Sequence, residues 1–252
     1  MEIEIKEKLK EIETTHKVKI LYACESGSRA WGFASPDSDY DVRFIYAHKK
    51  DWYMSIDDKM DVIELPVNKL LDIGGWEIRK ALRLFRKSNA PLYEWLQSPI
   101  HYFVNVDFYD KLWNLAPYYF SFRAGMHHYI NMTKNCLENE LQGDEVKLKK
   151  YFYALRPILA AKWIADNRQI PPMEFSKLQT LITNNKVNIE IENLLEKKKV
   201  SDEKEIIKKV ETLNTFISNT LIECQEVSDH IEKTSVTAEQ LDQLFRNTID
   251  GI

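Results

Sequence analysis

Cysteine is scarce in this chain, no charge of one sign dominates, and no apolar run is long enough to span a bilayer. Cys24, Cys136 and Cys224 are odd in number, far apart and at no metal-ligand spacing. A disulfide framework and a zinc finger are therefore excluded, and the three thiols read as buried small hydrophobes. Without a membrane span or a leader-like start, the expectation is a cytoplasmic protein with reduced thiols. The formal net charge of −4 advertises no long nucleic-acid footprint, although it leaves room for a local basic face. Internal repeats and low-complexity tracts are absent as well.

What is present is ample for a core. With 252 residues and a hydrophobic share of 44 %, the chain suits one large or two modest domains. Ile5, Leu9 and Ile12 fall at helical spacing and predict an opening amphipathic helix. "VKILYACESGS" begins as an apolar strand and stops at a Gly-Ser turn, and "YDVRFIYAH" alternates as a second strand. "DVIELPV" reads as a third short strand and "LLDI" as a fourth, closed by Gly74-Gly75. From Trp76 the pattern becomes helical. Ile78, Ala81, Leu82 and Phe85 form one face, Arg79, Lys80, Arg83, Arg86 and Lys87 lie mainly on the others, and "APLYEWL" starts a short helix near Pro91. After Pro99 nearly everything reads as helix, in three long segments over 107–141, 145–167 and 201–233. Pro157 should kink or break the second, Thr237 with Gln240 suits a capping box, and "EKKKVSDEKE" reads as an exposed charged turn. The expected class is α+β: a short mixed sheet with helices on one face over 1–99, then a helical domain over 100–252 that would close a cleft.

One stretch demands a chemical explanation. "ESGSRAWGFASPDSDYDVRF" puts a Gly-Ser pair at the end of an apolar strand and then Asp37, Asp39 and Asp41 within five residues. Like charges so close repel, which points to a metal ion. An EF-hand loop would need Gly and Glu where Val42 and His48 stand. No Gly-Lys-Ser/Thr makes a P-loop, and Gly27 directly before Ser28 makes no nucleophile elbow. What remains is a phosphate turn followed by a carboxylate pair on a strand. Main-chain N–H groups at Gly27-Ser28 and the Ser28 hydroxyl can cradle phosphate oxygens. Asp39 and Asp41, two apart and so on one side of a strand, can share hard divalent cations that bridge those phosphates. The rival reading, a solvated Pro-Asp-Ser-Asp turn, fits Asp37 better than the other two.

The Gly-Ser turn, short helix and Asp-x-Asp resemble the DNA polymerase β-like nucleotidyltransferase superfamily. The blocks "GSRAWGFASPDSDYDVRFIY", "DVIELP", "LDIGGWEIRKALRLFRKSNAPLYEWLQSPI" and "YFYALRPILAAKWI" are together similar to the YcgL/RlaP-like nucleotidyltransferases, over most of residues 18 to 175. The resemblance implies a minimal nucleotidyltransferase fold. It implies Gly27, Ser28 and Arg29 at the nucleotide, and two magnesium ions, with manganese as a substitute, on Asp39, Asp41 and a third carboxylate. Asp61, Glu64, Asp72 and Glu77 compete for that third place. Asp72 is favoured, because it ends a short apolar run just before the basic helix, where related enzymes carry theirs; relatives often have Gly-Trp-Asp where this chain has Gly75-Trp76-Glu77.

The expected reaction is transfer of a nucleoside monophosphate from an NTP, with loss of pyrophosphate, to an RNA 3′ end, a protein hydroxyl or a small molecule. A nucleotide sensor without activity and a helical interaction module are the readings from other classes. Arg29 and Arg43 are open between phosphate contacts and surface ion pairs, and Arg79, Lys80 and Arg83 between a solvated face and substrate binding. Trp76 and Trp95 read as core, His127 and His128 as ordinary helix residues, and Tyr151 and Arg156 as cleft-lining or packing.

Overall fold

In a computed structural model describing residues 1–66, 70–233 and 235–252, the chain forms two units. One comprises Met1–Ala30, Asp39–Phe120 and Ser235–Ile252, the other Trp31–Ser38 and Ser121–Thr234.

The first unit is built on a five-stranded sheet. β1 (Val18–Glu25), β2 (Tyr40–His48), β3 (Val62–Glu64), β4 (Leu71–Glu77) and β5 (His101–Val104) lie in the order β3-β4-β2-β1-β5. β2 and β4 run parallel and the other pairs antiparallel, so the sheet is mixed and the class α+β, as expected. The alternation of β2 divides its residues: Val42, Phe44 and Tyr46 enter a core with Ile5, Leu9 and Ile12 of α1 (Glu2–His16). On the opposite face, Trp76 meets Trp95 of α5 (Ala90–Trp95), and Tyr22 stacks on Tyr109 of α6 (Val106–Tyr119). Helices thus cover both faces, not one, because β1 and β2 are buried on both sides.

Several boundaries differ from the sequence reading. β4 continues through Gly74-Gly75 to Glu77 instead of ending there, because the Phe44 ring lies where a side chain at 75 would stand. β5 and α6 lie beyond residue 99 and still belong to the sheet unit: β5 pairs with β1, and α6 packs against β1. Val67, the last residue of the expected third strand, lies outside the described residues. α4 (Ile78–Arg86) follows β4 directly and packs with the terminal helix α12 (Glu239–Asp250). The expected capping box does not form. Ala238 is the N-cap of α12, and the Thr237 carbonyl accepts the Tyr119 hydroxyl instead.

The second unit is mainly helical. α7 (Phe122–Glu140), α8 (Leu148–Asn167) and α11 (Glu211–Asp229) pack together, joined by α9 (Phe175–Gln179) and α10 (Asn185–Val200). The single helix expected over 107–141 is two, because Ser121 leaves the helical path and caps α7 through the Ala124 N–H. Residues 145–147 and 206–208 pair as a small two-stranded antiparallel sheet, β6 and β7, where helix was expected. α8 runs unbroken through Pro157. The charged run 196–205 is not simply exposed: Lys198 is buried and donates to Ser35 Oγ at 2.7 Å. Among the described residues, no helix is long and apolar enough to cross a membrane.

Candidate functional site

The Gly-Ser turn is laced to the start of β2 by the backbone. Ser26 N–H donates to the Asp41 carbonyl at 2.7 Å, and Asp41 N–H donates to Glu25 Oε1 at 2.8 Å. Glu25 is fully buried at the end of β1, and its other oxygen accepts the Tyr102 hydroxyl. Burial pushes the Glu25 carboxyl above its ordinary range, against the two hydrogen bonds that favour its charged form. Gly27 takes φ +61°, a conformation that costs other residues, and opens the short helix α2 (Gly27–Trp31) with Ser28 nearly buried in its first turn.

Parallel register brings two carboxylates side by side. Asp41 is opposite Asp72, Arg43 opposite Gly74 and Ile45 opposite Trp76, so Asp41, Arg43 and Asp72 project from one face. Arg43 Nη2 donates to Asp72 Oδ2 at 2.7 Å and to Asp41 Oδ1 at 3.2 Å. Arg43 Nη1 donates to the Val42 and Asp72 carbonyls at 3.0 and 3.1 Å. Asp39 stands exposed just before β2, and its carbonyl accepts Arg29 Nε at 3.0 Å. The Arg29 guanidinium lies 3.8 Å over the Tyr40 ring.

The rival third acids separate by face. Glu77, five strand positions from Asp72 and so on the opposite face, is buried, caps α4 through the Arg79 and Lys80 N–H groups and accepts the Tyr53 hydroxyl. Asp61 pairs with Lys80 at 2.8 Å. Glu64 is opposite Gly74 and so shares the Asp72 side, exposed at the sheet edge. Asp37 belongs to the second unit, where its carboxylate accepts the Glu203 N–H at 3.1 Å. Arg79 lies over the Tyr53 and Phe245 rings, at 5.1 and 5.2 Å. Tyr151 and Arg156 are buried within the second unit, bonded to Asn214 and to the Met173 carbonyl.

Glu25 escaped the sequence reading as a part of this arrangement, and Arg43, open there between a phosphate contact and a surface ion pair, forms a part-buried pair with both Asp41 and Asp72. Glu25 carried one signal, an acid closing an otherwise apolar strand next to the Gly-Ser turn. For Arg43 only the alternation of "DVRF" placed it on the Asp41 side, and nothing in the sequence set the register with Asp72.

Among the described residues no three His, Cys, Asp or Glu side chains are grouped to hold a metal ion. Asp41 and Asp72 nevertheless converge on one cation, which here is the Arg43 guanidinium. An all-oxygen pair that already brackets a positive charge is of the type that hard divalent ions take, while Asp39, two residues before Asp41, is not grouped with the pair.

β1 thus ends in a Gly-Ser turn, Asp39 stands just before the antiparallel β2 and Asp41 on it, and Asp72 lies beside Asp41 on the parallel β4. The chain belongs to the RNA repair pathway DNA polymerase beta family, RlaP, whose model matches residues 1–247. It is 47 % identical over 255 residues to the protein YcgL of Bacillus subtilis (strain 168), covering all of this chain and 98 % of that one. A solved nucleotidyltransferase-like protein from Exiguobacterium sibiricum 255-15 aligns over 96 % of this chain and 80 % of its own, at 12 % identity and a TM-score of 0.31.

Proposed function

We propose that the protein transfers a nucleoside monophosphate from an NTP to an acceptor hydroxyl. The acceptor oxygen bonds to the α-phosphorus, the bond from that phosphorus to the β-bridging oxygen breaks, and pyrophosphate leaves. The acceptor's proton passes to a carboxylate, for which Asp72 is the candidate. The observation that carries this reading is the side-by-side placement of Asp41 and Asp72 on parallel strands, with the Gly27 turn against the Asp41 carboxylate.

Asp39, Asp41 and Asp72 would hold two magnesium ions, or manganese in their place. When bound, such ions neutralise charge on the phosphates and on the attacking and leaving oxygens. Gly27, Ser28 and Arg29 would hold the nucleotide's phosphates, the turn through its main-chain N–H groups and Arg29 through its charge. The Glu25 and Tyr102 pair, beneath the turn, holds Asp41's backbone in place. Catalysis then comes mainly from positioning and charge neutralisation, as phosphoryl transfer requires. The family's description as an RNA repair pathway favours an RNA 3′ end as the acceptor.

The test is thermal stability with each of the four NTPs, with and without magnesium, on the wild type and on Asp39→Ala/Asp41→Ala. A ligand at about 100 times its Kd adds about 2.7 kcal/mol, a readily measured rise in Tm. Stabilisation that needs nucleotide and metal together and vanishes in the double variant is the expected result. Equal stabilisation of both proteins overturns the assignment of the aspartates.

A further inference from the structure

Arg43 is placed unlike a surface ion-pairing arginine. One guanidinium faces two carboxylates. All three side chains are only partly exposed, Arg43 at 22 %, Asp41 at 31 % and Asp72 at 32 %. Two half-screened carboxylates on adjacent strands would repel if nothing stood between them.

We propose that Arg43 is a resident cation that holds Asp41 and Asp72 together in the metal-free chain and competes with the divalent ion for them. This rests on the metal reading of the site given above. An arginine cannot step aside by losing its proton, so exchange is a competition between a single charge and a double one. The side chain has somewhere to go. Nη1 is tied to the Val42 and Asp72 carbonyls, which bind no metal in this scheme, while only Nη2 bridges the carboxylates. Metal can therefore take the carboxylate oxygens from Nη2 while Nη1 stays anchored. Arg43 then becomes a positioning residue that tunes how tightly the site takes metal, and it keeps the two acids aligned before metal arrives.

The test is calorimetric titration of Mn2+ into the full chain without nucleotide, at fixed ionic strength, on wild type, Arg43→Gln, Arg43→Lys and Asp41→Asn. Removing a unit charge a few ångströms from the site should tighten Mn2+ binding by about tenfold or more in Arg43→Gln. The same variant should melt lower than wild type without metal and gain more from Mn2+. Lysine keeps the charge but not the fork that spans carbonyls and carboxylates. Arg43→Lys should therefore bind between wild type and Arg43→Gln, and it decides the matter if the glutamine variant does not fold. Affinity in the folded variants at or below wild type overturns the competition while leaving the metal site itself standing. Mn2+ binding that survives Asp41→Asn, or none in any protein, overturns both the competition and the metal reading.

Discussion

Gly27 stands directly against the Asp41 carboxylate: a Cβ built on Gly27 would fall 2.0 Å from Asp41 Oδ2. Two separate requirements therefore fall on position 27. Its φ of +61° costs an L-residue about 1–2 kcal/mol, and the new methyl cannot coexist with the carboxylate where it now lies. Gly27→Ala is expected to lose about 2 kcal/mol or more, and with it about 4–8 °C in Tm. Turning Asp41 away should also abolish the joint nucleotide and metal stabilisation. A Gly27→Ala protein that melts like the wild type and keeps that response would show that the turn and the carboxylate are not coupled.

The third carboxylate is tested by comparing two acids of β4. Asp72 lies beside Asp41, whereas Glu77 caps α4 and accepts the Tyr53 hydroxyl. Asp72→Asn should leave the fold intact and remove metal-dependent stabilisation by nucleotide. Glu77→Gln keeps an oxygen for the helix cap and should keep that stabilisation. Glu77→Ala should lose about 1–2 kcal/mol of stability, since a buried cap disappears. Differential scanning fluorimetry on the three variants separates the roles, and a metal response lost in Glu77→Gln but kept in Asp72→Asn would reverse the assignment.

Local pattern carried much of this arrangement. The strands β1 and β2, the Gly-Ser turn between them and the basic helix α4 were legible because burial alternation and apolar periodicity are local signals. The meeting of Asp41 with Asp72 was not, since it depends on register between strands separated by a long stretch of chain. Gly74-Gly75 misled for a related reason. Glycine is ordinarily punctuation, but at Gly75 it admits the ring of Phe44 from the neighbouring strand, which only the pairing reveals. The three-residue strands β6 and β7 are too short to establish a period, and Ile206-Ile207 lies in a charged run that reads as helix. Lys198 shows the same limit: its sequence neighbours predict exposure, while the Trp31–Ser38 segment supplies the partner that buries it.

His48 gives the fold a pH dependence with a definite sign. Burial, then the charges of Lys59 and His16, push its pKa down to about 4 from an ordinary 6.5. A base with a lowered folded pKa contributes stability that is present above the unfolded value and lost as pH falls toward the folded one. Tm should therefore drop between about pH 6.5 and pH 4. His48 stacks on Trp52 with ring centroids 4.0 Å apart, so His48→Phe preserves the contact while removing the titration. That variant should show a flatter Tm profile across the same window. Glu25, whose carboxyl is raised, acts oppositely: its contribution is present below the ordinary glutamate range and declines as pH rises through the raised value. A His48→Phe profile as steep as wild type would assign the acid sensitivity to other groups.

The register that pairs Asp41 with Asp72 is itself held by a close approach elsewhere on the same two strands. A Cβ at Gly75 would come within 2.2 Å of Phe44 Cε2, and Phe44 is fully buried, so the ring cannot swing into solvent. Gly75→Ala should cost about 1–3 kcal/mol by overpacking. Phe44→Leu opens space and by itself should cost about 1 kcal/mol or more, through lost packing. Together the two should cost less than their sum, with a coupling of about 0.5–3 kcal/mol, because the smaller side chain accommodates the added methyl. Urea unfolding of the wild type, the two single variants and the double variant measures that coupling directly. Because β2 and β4 also position the two aspartates, Gly75→Ala should weaken Mn2+ binding and the double variant should restore part of it. Strict additivity of the two costs would mean that the strands yield elsewhere, and that Phe44 is not what requires glycine at 75.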